Sequence, residues 1–531
     1  MTRTNRPWWQ TTTIYQIYPR SFQDSNGDGV GDLRGIIARI PYLKEMGFEA
    51  VWISPFFPSP MKDFGYDISD YCGIDPLFGS MADFDALLAE LHANGLRLIL
   101  DLVPNHTSDQ HPWFGESRSS RASPRRDWYI WRDPAADGGP PNNWLSEFGG
   151  SAWTFDPATR QYYHHAFLAE QPDLNWRNPD VREAMHDVMR FWLRKGVNGF
   201  RVDVMWHLMK DGQFRDNPPN PAYDDSRPPH EALLTRHSAD VEEVHDVVRG
   251  LREVVDEFSD RLLIGEIYLP LERLVTYYGT NLGGAHLPFN FSLLSTPWTA
   301  TEIETLLKRY EALLPPGAWP NWVLGNHDRR RLASRIGKAQ LCNAALLLLT
   351  LRGTPTLYYG DELGTTHADI PADRIRDPYE INVPGKGIGR DGARTPMQWS
   401  SQPNAGFSSS EPWLPLGDNW VAENVEALAG DATSLLTFYR RLIELRKRSP
   451  ALQLGDYGGI GSRDGALWFV RQHGAERLWI GLNLSGNPVT LEALRRGEVA
   501  LSTRADRDTE TVERAIELRP NEGVIVRDTA A

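Results

Sequence analysis

The sequence is poor in cysteine, in long apolar runs and in positive charge. Its two cysteines, Cys72 and Cys342, cannot build a disulfide framework and lie in no metal-ligand spacing, so we expect two free thiols. The net charge of −14 argues against a nucleic-acid partner and against an anionic membrane surface. The longest apolar run, residues 344–350, is too short to cross a membrane, and residues 1–10 lack the apolar core of a signal peptide. We therefore predict a cytoplasmic protein with neither a membrane nor a nucleic acid as partner.

What the sequence does have is length, an ordinary composition and many aromatic residues. At 531 residues the chain is too long for one hydrophobic core, so we expect two or three domains. It is 41% hydrophobic and 24% charged, which is typical of folded globular proteins. Its 19 tryptophans suit both core packing and the stacking of rings on sugars, and core packing is the better interpretation for any single ring.

Short β-branched runs alternate with amphipathic stretches through most of the chain, which indicates βα units and a parallel sheet. Eight such runs are present, as many strands as a (β/α)₈ barrel needs. The predicted strands are 14–18, 50–53, 96–102, 199–202, 262–264, 289–291, 322–324 and 356–358. The predicted helices between them include 36–45, 81–93, 181–195, 241–258 and 339–351.

Two regions depart from this alternation. Residues 105–178 are rich in Trp, Pro, Asn and Gly with little periodicity, and a structureless loop of that length is uncommon, so we predict a small inserted domain after strand 3. Beyond residue 452 the pattern changes to alternating strands (466–470, 477–484, 516–518 and 523–526), which predicts a C-terminal antiparallel β-sandwich. The predicted domains are barrel 1–104, insert 105–178, barrel 179–452 with an irregular excursion at about 365–415, and sandwich 453–531.

Charged and polar residues cluster at the predicted strand ends, where catalytic residues of such barrels lie. They are Asp101, Asn105, His106, Arg201, Asp203, Glu266, His327 and Asp328. Cleaving an acetal requires a proton donor for the leaving oxygen and a carboxylate facing the anomeric carbon, and Asp203 and Glu266 suit these roles. Arg201 shares a strand face with Asp203 and should keep that carboxylate ionised, whereas the apolar run before Glu266 should raise its pKa towards that of a general acid.

Several motifs occur in order along the chain: IYQIYPRSF near the start, DLVPNHTSD (101–109), QPDLNW (171–176), GFRVDV (199–204), IGE (264–266), GNHD (325–328) and GRDGARTPMQW (389–399). Together they resemble the α-amylase family, glycoside hydrolase family 13, in its oligo-1,6-glucosidase and α-glucosidase branch. The resemblance covers nearly the whole chain.

The resemblance implies a retaining, exo-acting α-glucosidase. Asp203 would be the nucleophile, Glu266 the general acid/base and Asp328 the stabiliser of the transition state. The residues implied for the glucose pocket are Asp63, Tyr66, His106, Phe148, Phe167, Gln171, Arg201, His327 and Arg390. Asp63 and Arg390 would close the pocket behind the glucose, and Tyr66 and the two phenylalanines would supply its walls. Core packing is a strong alternative for Phe148 and Phe167.

An oxygen-rich loop near the N-terminus is a candidate metal site. Its side-chain oxygens recur at alternate residues, as in the first half of an EF-hand loop, although position twelve is Gly35 and not Glu. The candidate ligands are Asp24, Asn26, Asp28, the Val30 carbonyl and Asp32. An Asx-rich turn without metal is the alternative. The resemblance favours a structural Ca²⁺, and no organic cofactor is expected.

The sequence leaves the substrate open among maltose, sucrose, isomaltose and related short α-glucosides. Val204 after the nucleophile hints at tolerance for 1,6 links, but Trp206 replaces the Asn that relatives commonly carry and should reshape the aglycone side. A transglucosylase, or a sucrose isomerase or trehalose synthase, on the same scaffold is the main alternative. A non-catalytic relative or a sugar-binding module is disfavoured, because all three carboxylates and Arg201 are present. The oligomeric state is open between a monomer and a small homo-oligomer.

Overall fold

The computed structural model describes residues 6–492 and 495–529. In chain order its strands are β1 (Ile14–Ile17), β2 (Ala50–Ile53), β3 (Arg97–Leu102), β4 (Trp131–Arg132), β5 (Trp153–Asp156), β6 (Gln161–His164), β7 (Gly199–Val202), β8 (Leu262–Gly265), β9 (Leu287–Pro288), β10 (Asn321–Val323), β11 (Thr354–Tyr358), β12 (Asp456–Arg463), β13 (Ala466–His473), β14 (Glu476–Asn483), β15 (Val489–Glu492), β16 (Gly497–Ser502), β17 (Thr511–Val512), β18 (Ala515–Leu518) and β19 (Gly523–Asp528).

Eight of these strands form the barrel. They follow one another in the order β10-β11-β1-β2-β3-β7-β8-β9, and every paired neighbour is parallel. The predicted (β/α)₈ barrel is therefore confirmed. The predicted strand 289–291 is wrong, because the ladder ends at Pro288 and the chain then turns at Asn290, whose side chain accepts a hydrogen bond from the amide of Ser292. Phe289 and Phe291 are buried beyond the strand end, so residues 289–291 have the apolar pattern of a buried strand without being one.

The helices surround the barrel. In chain order they are α1 (Leu33–Ala38), α2 (Ile40–Met46), α3 (Met81–Ala93), α4 (Pro112–Ser119), α5 (Pro179–Lys195), α6 (Val244–Asp256), α7 (Leu271–Leu274), α8 (Ser292–Ser295), α9 (Ala300–Leu313), α10 (Leu332–Ile336), α11 (Leu341–Thr350), α12 (Pro378–Asn382), α13 (Val425–Ala429), α14 (Leu435–Arg448) and α15 (Pro450–Leu454). Within the described ranges, none has the length and apolar character that a membrane crossing requires.

Local sequence explains where these helices begin and end. Asn178 caps α5 with its side chain, Pro179 occupies the first turn, and Gly196 ends the helix in the left-handed conformation. The predicted helix 36–45 is two helices, because Arg39 has a non-helical backbone and Pro41 has no N–H to donate in the first turn of α2.

Two additional units accompany the barrel, and their predicted boundaries stay predictions. The three-stranded antiparallel sheet β4-β6-β5 lies between β3 and α5, within the predicted insert. After α15, a six-stranded sheet and the antiparallel pair β15-β18 enclose a core of Val470, Trp479, Leu491 and Val526. The C-terminal β-sandwich is confirmed, and it contains more strands than the sequence pattern indicated.

Candidate active site

The strand β7 carries two of the predicted reactive residues to the mouth of the barrel. Arg201 and Asp203 are two residues apart and lie on the same side of the chain. The strand starts at Gly199, where a Cβ atom would lie 2.3 Å from the carbonyl oxygen of Leu262 on β8. Only glycine permits this close approach of β7 to β8, which sets the distance between Asp203 and the residues that follow β8.

One buried guanidinium holds three carboxylates together at this mouth. Arg201 Nη1 lies 2.8 Å from Asp101 and 2.7 Å from Asp203, and its Nη2 lies 2.8 Å from Glu266. Burial raises the pKa of all three carboxyls, that of Asp101 to about 7, although Arg201 opposes the rise. Burial and the charge of Glu266 raise the pKa of Asp203, and Arg201 lowers it, so the expectation that Arg201 keeps Asp203 ionised stays a prediction. The expected rise in the pKa of Glu266 is present, and the cluster keeps a proton that a general acid can donate.

The residue after Asp203 has a strained backbone. Val204 is in the left-handed region with φ +36°, which is rare for a β-branched side chain and costs roughly 1–3 kcal/mol. This conformation turns the Val204 amide towards Glu266, and it donates a hydrogen bond of 2.8 Å to Oε2. The strain thus fixes the position of Glu266 relative to Asp203.

A second group of hydrogen bonds orients His327 and Tyr66. Gln16 Nε2 lies 2.8 Å from His327 Nδ1 and holds the imidazole ring in place. The other ring nitrogen, Nε2, lies 2.6 Å from the hydroxyl of Tyr66, which in turn donates to Asp101 over 3.0 Å. Burial lowers the pKa of His327 well below its usual value, so the ring is neutral at pH 7.

Two arginines pair with the carboxylates at the closed end of the pocket. Arg390 Nη2 lies 2.7 Å from Asp63 and 2.6 Å from Asp377, and its Nη1 lies 3.4 Å from Asp328. Arg394 Nη2 lies 2.9 Å from Asp328. Asp377 and Arg394 were not among the predicted site residues. Arg394 lies in the GRDGARTPMQW motif that was noted, whereas Asp377 has no signal beyond its place before a proline.

The charge state of Asp328 follows from these neighbours. Burial favours the neutral carboxyl, but His327, Arg390 and Arg394 outweigh burial and hold its pKa below the usual value. Because His327 is itself neutral, the two guanidinium groups account for most of this effect. Asp328 is therefore ionised at any ordinary pH.

The inserted domain supplies the remaining wall. Gln171 Nε2 donates to Asp63 over 3.2 Å and lies 3.1 Å from His106 Nε2. The ring of Phe167 packs against His106 with centroids 5.3 Å apart, and Phe148 packs edge-on against Phe167 at 5.7 Å. All the residues predicted for catalysis and for the glucose pocket are thereby joined in one continuous set of contacts.

A buried ion pair that the sequence analysis missed anchors this wall to the barrel. The Lys210 ammonium pairs with Asp173 of the QPDLNW motif and donates to Asn105 Oδ1 over 2.7 Å. Lys210 and Asp173 are both buried. The pair therefore fixes the segment that carries Gln171 relative to the strand end that carries His106.

The predicted metal loop satisfies its own oxygens. Asp24 accepts hydrogen bonds from three amides of the loop. Asn26 accepts one from Asp28, and Asp28 accepts one from Val30. Asp32 caps α1 instead. The donor set suits Ca²⁺ chemically, but in the part of the chain that the structure describes no group of three His, Cys, Asp or Glu side chains is placed to hold a metal ion. A calcium ion at this loop stays a prediction.

A cavity of about 720 Å³ lies apart from these residues. Two of its arginines pair with acids of the same cavity, Arg215 with Asp211 at 2.7 Å and Arg273 with Asp240 at 2.8 Å. None of the predicted catalytic or pocket residues lines it. We therefore place the candidate active site at the barrel mouth.

Comparison with known proteins gives the family. The model of the α-amylase catalytic domain matches residues 16–455, which include Arg201 with its three carboxylates and the pair of arginines around Asp328. The chain belongs to the α-amylase family. The resemblance deduced from the motifs is confirmed.

The similar proteins include glucosidases, an α-glucosyl transfer enzyme and a trehalulose synthase. A probable α-glucosidase of Rhizobium meliloti is 44% identical over 92% of this chain and 91% of its own length. An oligo-1,6-glucosidase of Parageobacillus thermoglucosidasius is 39% identical over 90% of this chain and 91% of its own. The crystal structure of the α-glucosyl transfer enzyme XgtA has a TM-score of 0.93 at 40% identity, covering 99% of this chain and 100% of that one. The trehalulose synthase MutB of Pseudomonas mesoacidophila has a TM-score of 0.90 at 34% identity, covering 99% and 100%.

Proposed function

We propose that this protein is a retaining, exo-acting α-glucosidase that hydrolyses short α-glucosides. The observation that carries the proposal is the binding of Asp203 and Glu266 to one guanidinium, at 2.7 and 2.8 Å. Two carboxyls that share one guanidinium are drawn towards each other, which suits a double displacement, whereas inverting enzymes keep theirs about 6.5–9.5 Å apart to admit a water molecule.

The proposed reaction has two steps. Glu266 donates its proton to the glycosidic oxygen while Asp203 attacks the anomeric carbon, which gives a glucosyl ester on Asp203 and releases the aglycone. Glu266, now ionised, takes a proton from water, which attacks the same carbon and frees Asp203 with α-glucose. Asp328, held anionic by two arginines, stabilises the positive charge that develops on the sugar ring in both steps.

The exo action follows from the closed end of the pocket. Arg390 connects Asp63, Asp377 and Asp328, all three within 3.4 Å, and closes the pocket behind the glucose ring. A chain that continued beyond that glucose would collide with these groups. The enzyme therefore accepts glucose only at the non-reducing end.

The test is to identify the first anomer released. Maltose, isomaltose, sucrose and trehalose are incubated separately with the protein and the products are followed by NMR at early times. α-Glucose, abolished by Asp203→Ala with a loss on the order of 10⁴-fold or more, is the expected result. β-Glucose released first would refute the double displacement and the role of Asp203.

A second activity has support from the relatives. XgtA is described as an α-glucosyl transfer enzyme and MutB as a trehalulose synthase, and both share nearly the whole length of this chain. A transferase differs only in which hydroxyl attacks the glucosyl ester. Rearranged or extended sugars with little free glucose would move this enzyme to that class and leave the site assignment intact.

A further inference from the structure

The side of the site that faces the leaving group can be located from Glu266. A general acid lies next to the oxygen that it protonates, so the aglycone must lie beside Glu266 and away from the closed end at Arg390. Three aromatic or cationic residues follow the catalytic carboxylates closely in the chain, and two of them contact the third, Tyr268. They are Trp206, three residues after the nucleophile, Tyr268, two residues after Glu266, and Arg329, the residue after Asp328.

The ring of Tyr268 organises this side. Phe291 stacks on one face of Tyr268 with centroids 4.1 Å apart and an interplanar angle of 8°. The Arg329 guanidinium lies 4.6 Å from the centroid of the same ring, and since Phe291 occupies one face, Arg329 covers the other. Asn326 Nδ2 donates to the Tyr268 hydroxyl over 2.7 Å and fixes the ring. Tyr268 therefore offers no free face for a sugar, and the surface presented here is the guanidinium.

The Arg329 guanidinium is in direct contact with no carboxylate of the described residues, although the charge of Asp328 is near enough to raise its pKa. Among the ion pairs of the residues that the structure describes, none includes Arg329, although every other arginine bordering the catalytic carboxylates is paired. Its neighbour Asp328 is already bound by Arg394 and approached by Arg390. Arg329 is exposed, unlike these buried arginines. The N–H groups of its guanidinium that do not face the Tyr268 hydroxyl are thus available to a ligand on the leaving-group side.

We propose that Arg329, positioned by stacking on Tyr268, binds hydroxyl groups of the aglycone and makes the enzyme selective for hydroxyl-rich, sugar-like leaving groups. This inference rests on the proposed α-glucosidase function and adds a residue that determines specificity. Trp206 bounds the same space, because its ring meets Tyr268 edge-on at 5.9 Å and is only partly buried. A sugar aglycone would lie between the Trp206 ring and the Arg329 guanidinium.

The experiment compares three substrates that share the glucose and differ in the leaving group. Maltose has a hydroxylated aglycone, p-nitrophenyl α-glucoside has a planar aglycone without hydroxyls, and α-glucosyl fluoride has no aglycone carbon. Arg329→Ala should lower kcat/KM for maltose about 10- to 100-fold, the loss of hydrogen bonds to a charged group. It should change kcat/KM for the other two substrates by no more than about 2-fold, because neither offers a hydroxyl to the guanidinium.

The controls separate this role from others. Arg330→Ala removes the adjacent exposed arginine, whereas Arg329 is the one that lies over the Tyr268 ring, so Arg330→Ala should leave all three values unchanged. Arg329→Lys keeps the charge but loses the planar fork, so it should recover only a minor part of the activity towards maltose. Thermal unfolding of each variant shows whether the fold is intact.

Two results would overturn the inference. Equal losses for maltose and α-glucosyl fluoride would mean that Arg329 acts on Asp328 and not on the aglycone. An equal loss for maltose and p-nitrophenyl α-glucoside would mean that the guanidinium stacks on the aglycone and does not bind its hydroxyls. If the wild-type protein cleaves none of the three substrates, the proposed function fails and the inference with it.

Discussion

The two sides of the scissile bond are built on different principles. At the glucose side each charge has a partner within the protein: Arg390 binds Asp63 and Asp377, Arg394 binds Asp328, and all five groups lie at the closed end of the pocket. At the aglycone side Arg329 is exposed and stacked on an aromatic ring, without a carboxylate among the described residues. Side chains that are fixed by ion pairs hold one ligand in one orientation. A charged side chain without an ion-pair partner can bind several different ligands. The glucose side should therefore be invariant in what it accepts, and the aglycone side adjustable.

Glu266 lies between the two sides, and its replacement should have the largest effect. Glu266→Gln should lower kcat/KM for maltose about 10²- to 10⁴-fold, because the leaving alkoxide no longer receives a proton. The loss should be smaller for p-nitrophenyl α-glucoside, whose leaving group needs no proton. A comparable loss for both substrates would show that Glu266 acts on the glucose side. It would contradict the proposed difference between the glucose side and the aglycone side of the scissile bond.

The same variant tests the protonation of the cluster. Burial raises the pKa of Glu266, and the acid must be protonated to act, so wild-type activity should fall as pH rises through that raised pKa. The Glu266→Gln variant should lack this alkaline decline when kcat/KM is measured against pH. Retention of the decline would assign it to another group.

At the glucose side, Arg390→Ala should cost both binding and stability. Asp63 and Asp377 are buried and would lose their common partner, and removing one member of a buried ion pair typically costs about 3–5 kcal/mol. The free energy of unfolding, measured with urea, should fall accordingly, and KM should rise for every α-glucoside whatever its aglycone.

A surface pair provides the control for Arg390. Arg34 binds Asp83 but its side chain is 74% exposed, so Arg34→Ala should change the free energy of unfolding by about 1 kcal/mol or less. If Arg390→Ala changed the free energy of unfolding by as little as Arg34→Ala, the ion pairs at the glucose side would contribute no more to stability than exposed ones. The contrast between Arg390 and Arg329 would then have no support.

The sequence revealed the glucose side better than the aglycone side for a physical reason. Asp203, Glu266 and Asp328 lie at strand ends, where barrel geometry brings distant segments to one mouth, and motif spacing reports that geometry. The aglycone side depends on contacts between irregular segments, such as that of Arg329 with the Tyr268 ring. The relative position of such segments is set by packing, which leaves no periodic pattern in the sequence. The predicted strand at 289–291 failed similarly, because burial of Phe289 and Phe291 persists beyond the last ladder hydrogen bond.

The contact between Glu147 and His230 should give a moderate, pH-dependent effect at the aglycone side. His230 lies in a short 3₁₀-helix (Pro229–Ala232), and its Nε2 is 3.0 Å from Glu147 of the inserted domain. Around this pair lie His207 at 4.0 Å from Glu147, the ring of Tyr379, Glu231, which pairs with Arg227, and Arg329, whose charge lowers the pKa of Glu147. Because the pair lies near Arg329, it should influence how the aglycone enters.

The sign of the pH effect follows from the two pKa shifts. Burial opposes the charge of each group, but the partner outweighs it, so the pKa of Glu147 is lowered and that of His230 is raised. The pair is present between those two values and is lost as pH rises through the raised pKa of His230. KM for maltose should then rise about 2- to 5-fold in the wild type, and His230→Gln should show the higher KM at every pH. A wild-type KM that does not respond to pH would exclude this role.

Calcium should have the smallest effect, and on neither side of the bond. If the loop 24–32 binds Ca²⁺, removal with EGTA should lower the Tm by a few degrees, since saturation at 100 times Kd is worth about 2.7 kcal/mol. The kcat and KM values for all three α-glucosides should not change, because Asp24 pairs with loop amides and not with the pocket. Asp28→Ala should reproduce the lower Tm and abolish the response to EGTA. No change in Tm, with no calcium detected in the purified protein, would show that the loop closes by its own hydrogen bonds, and the contrast between the two sides of the bond would then involve no metal at all.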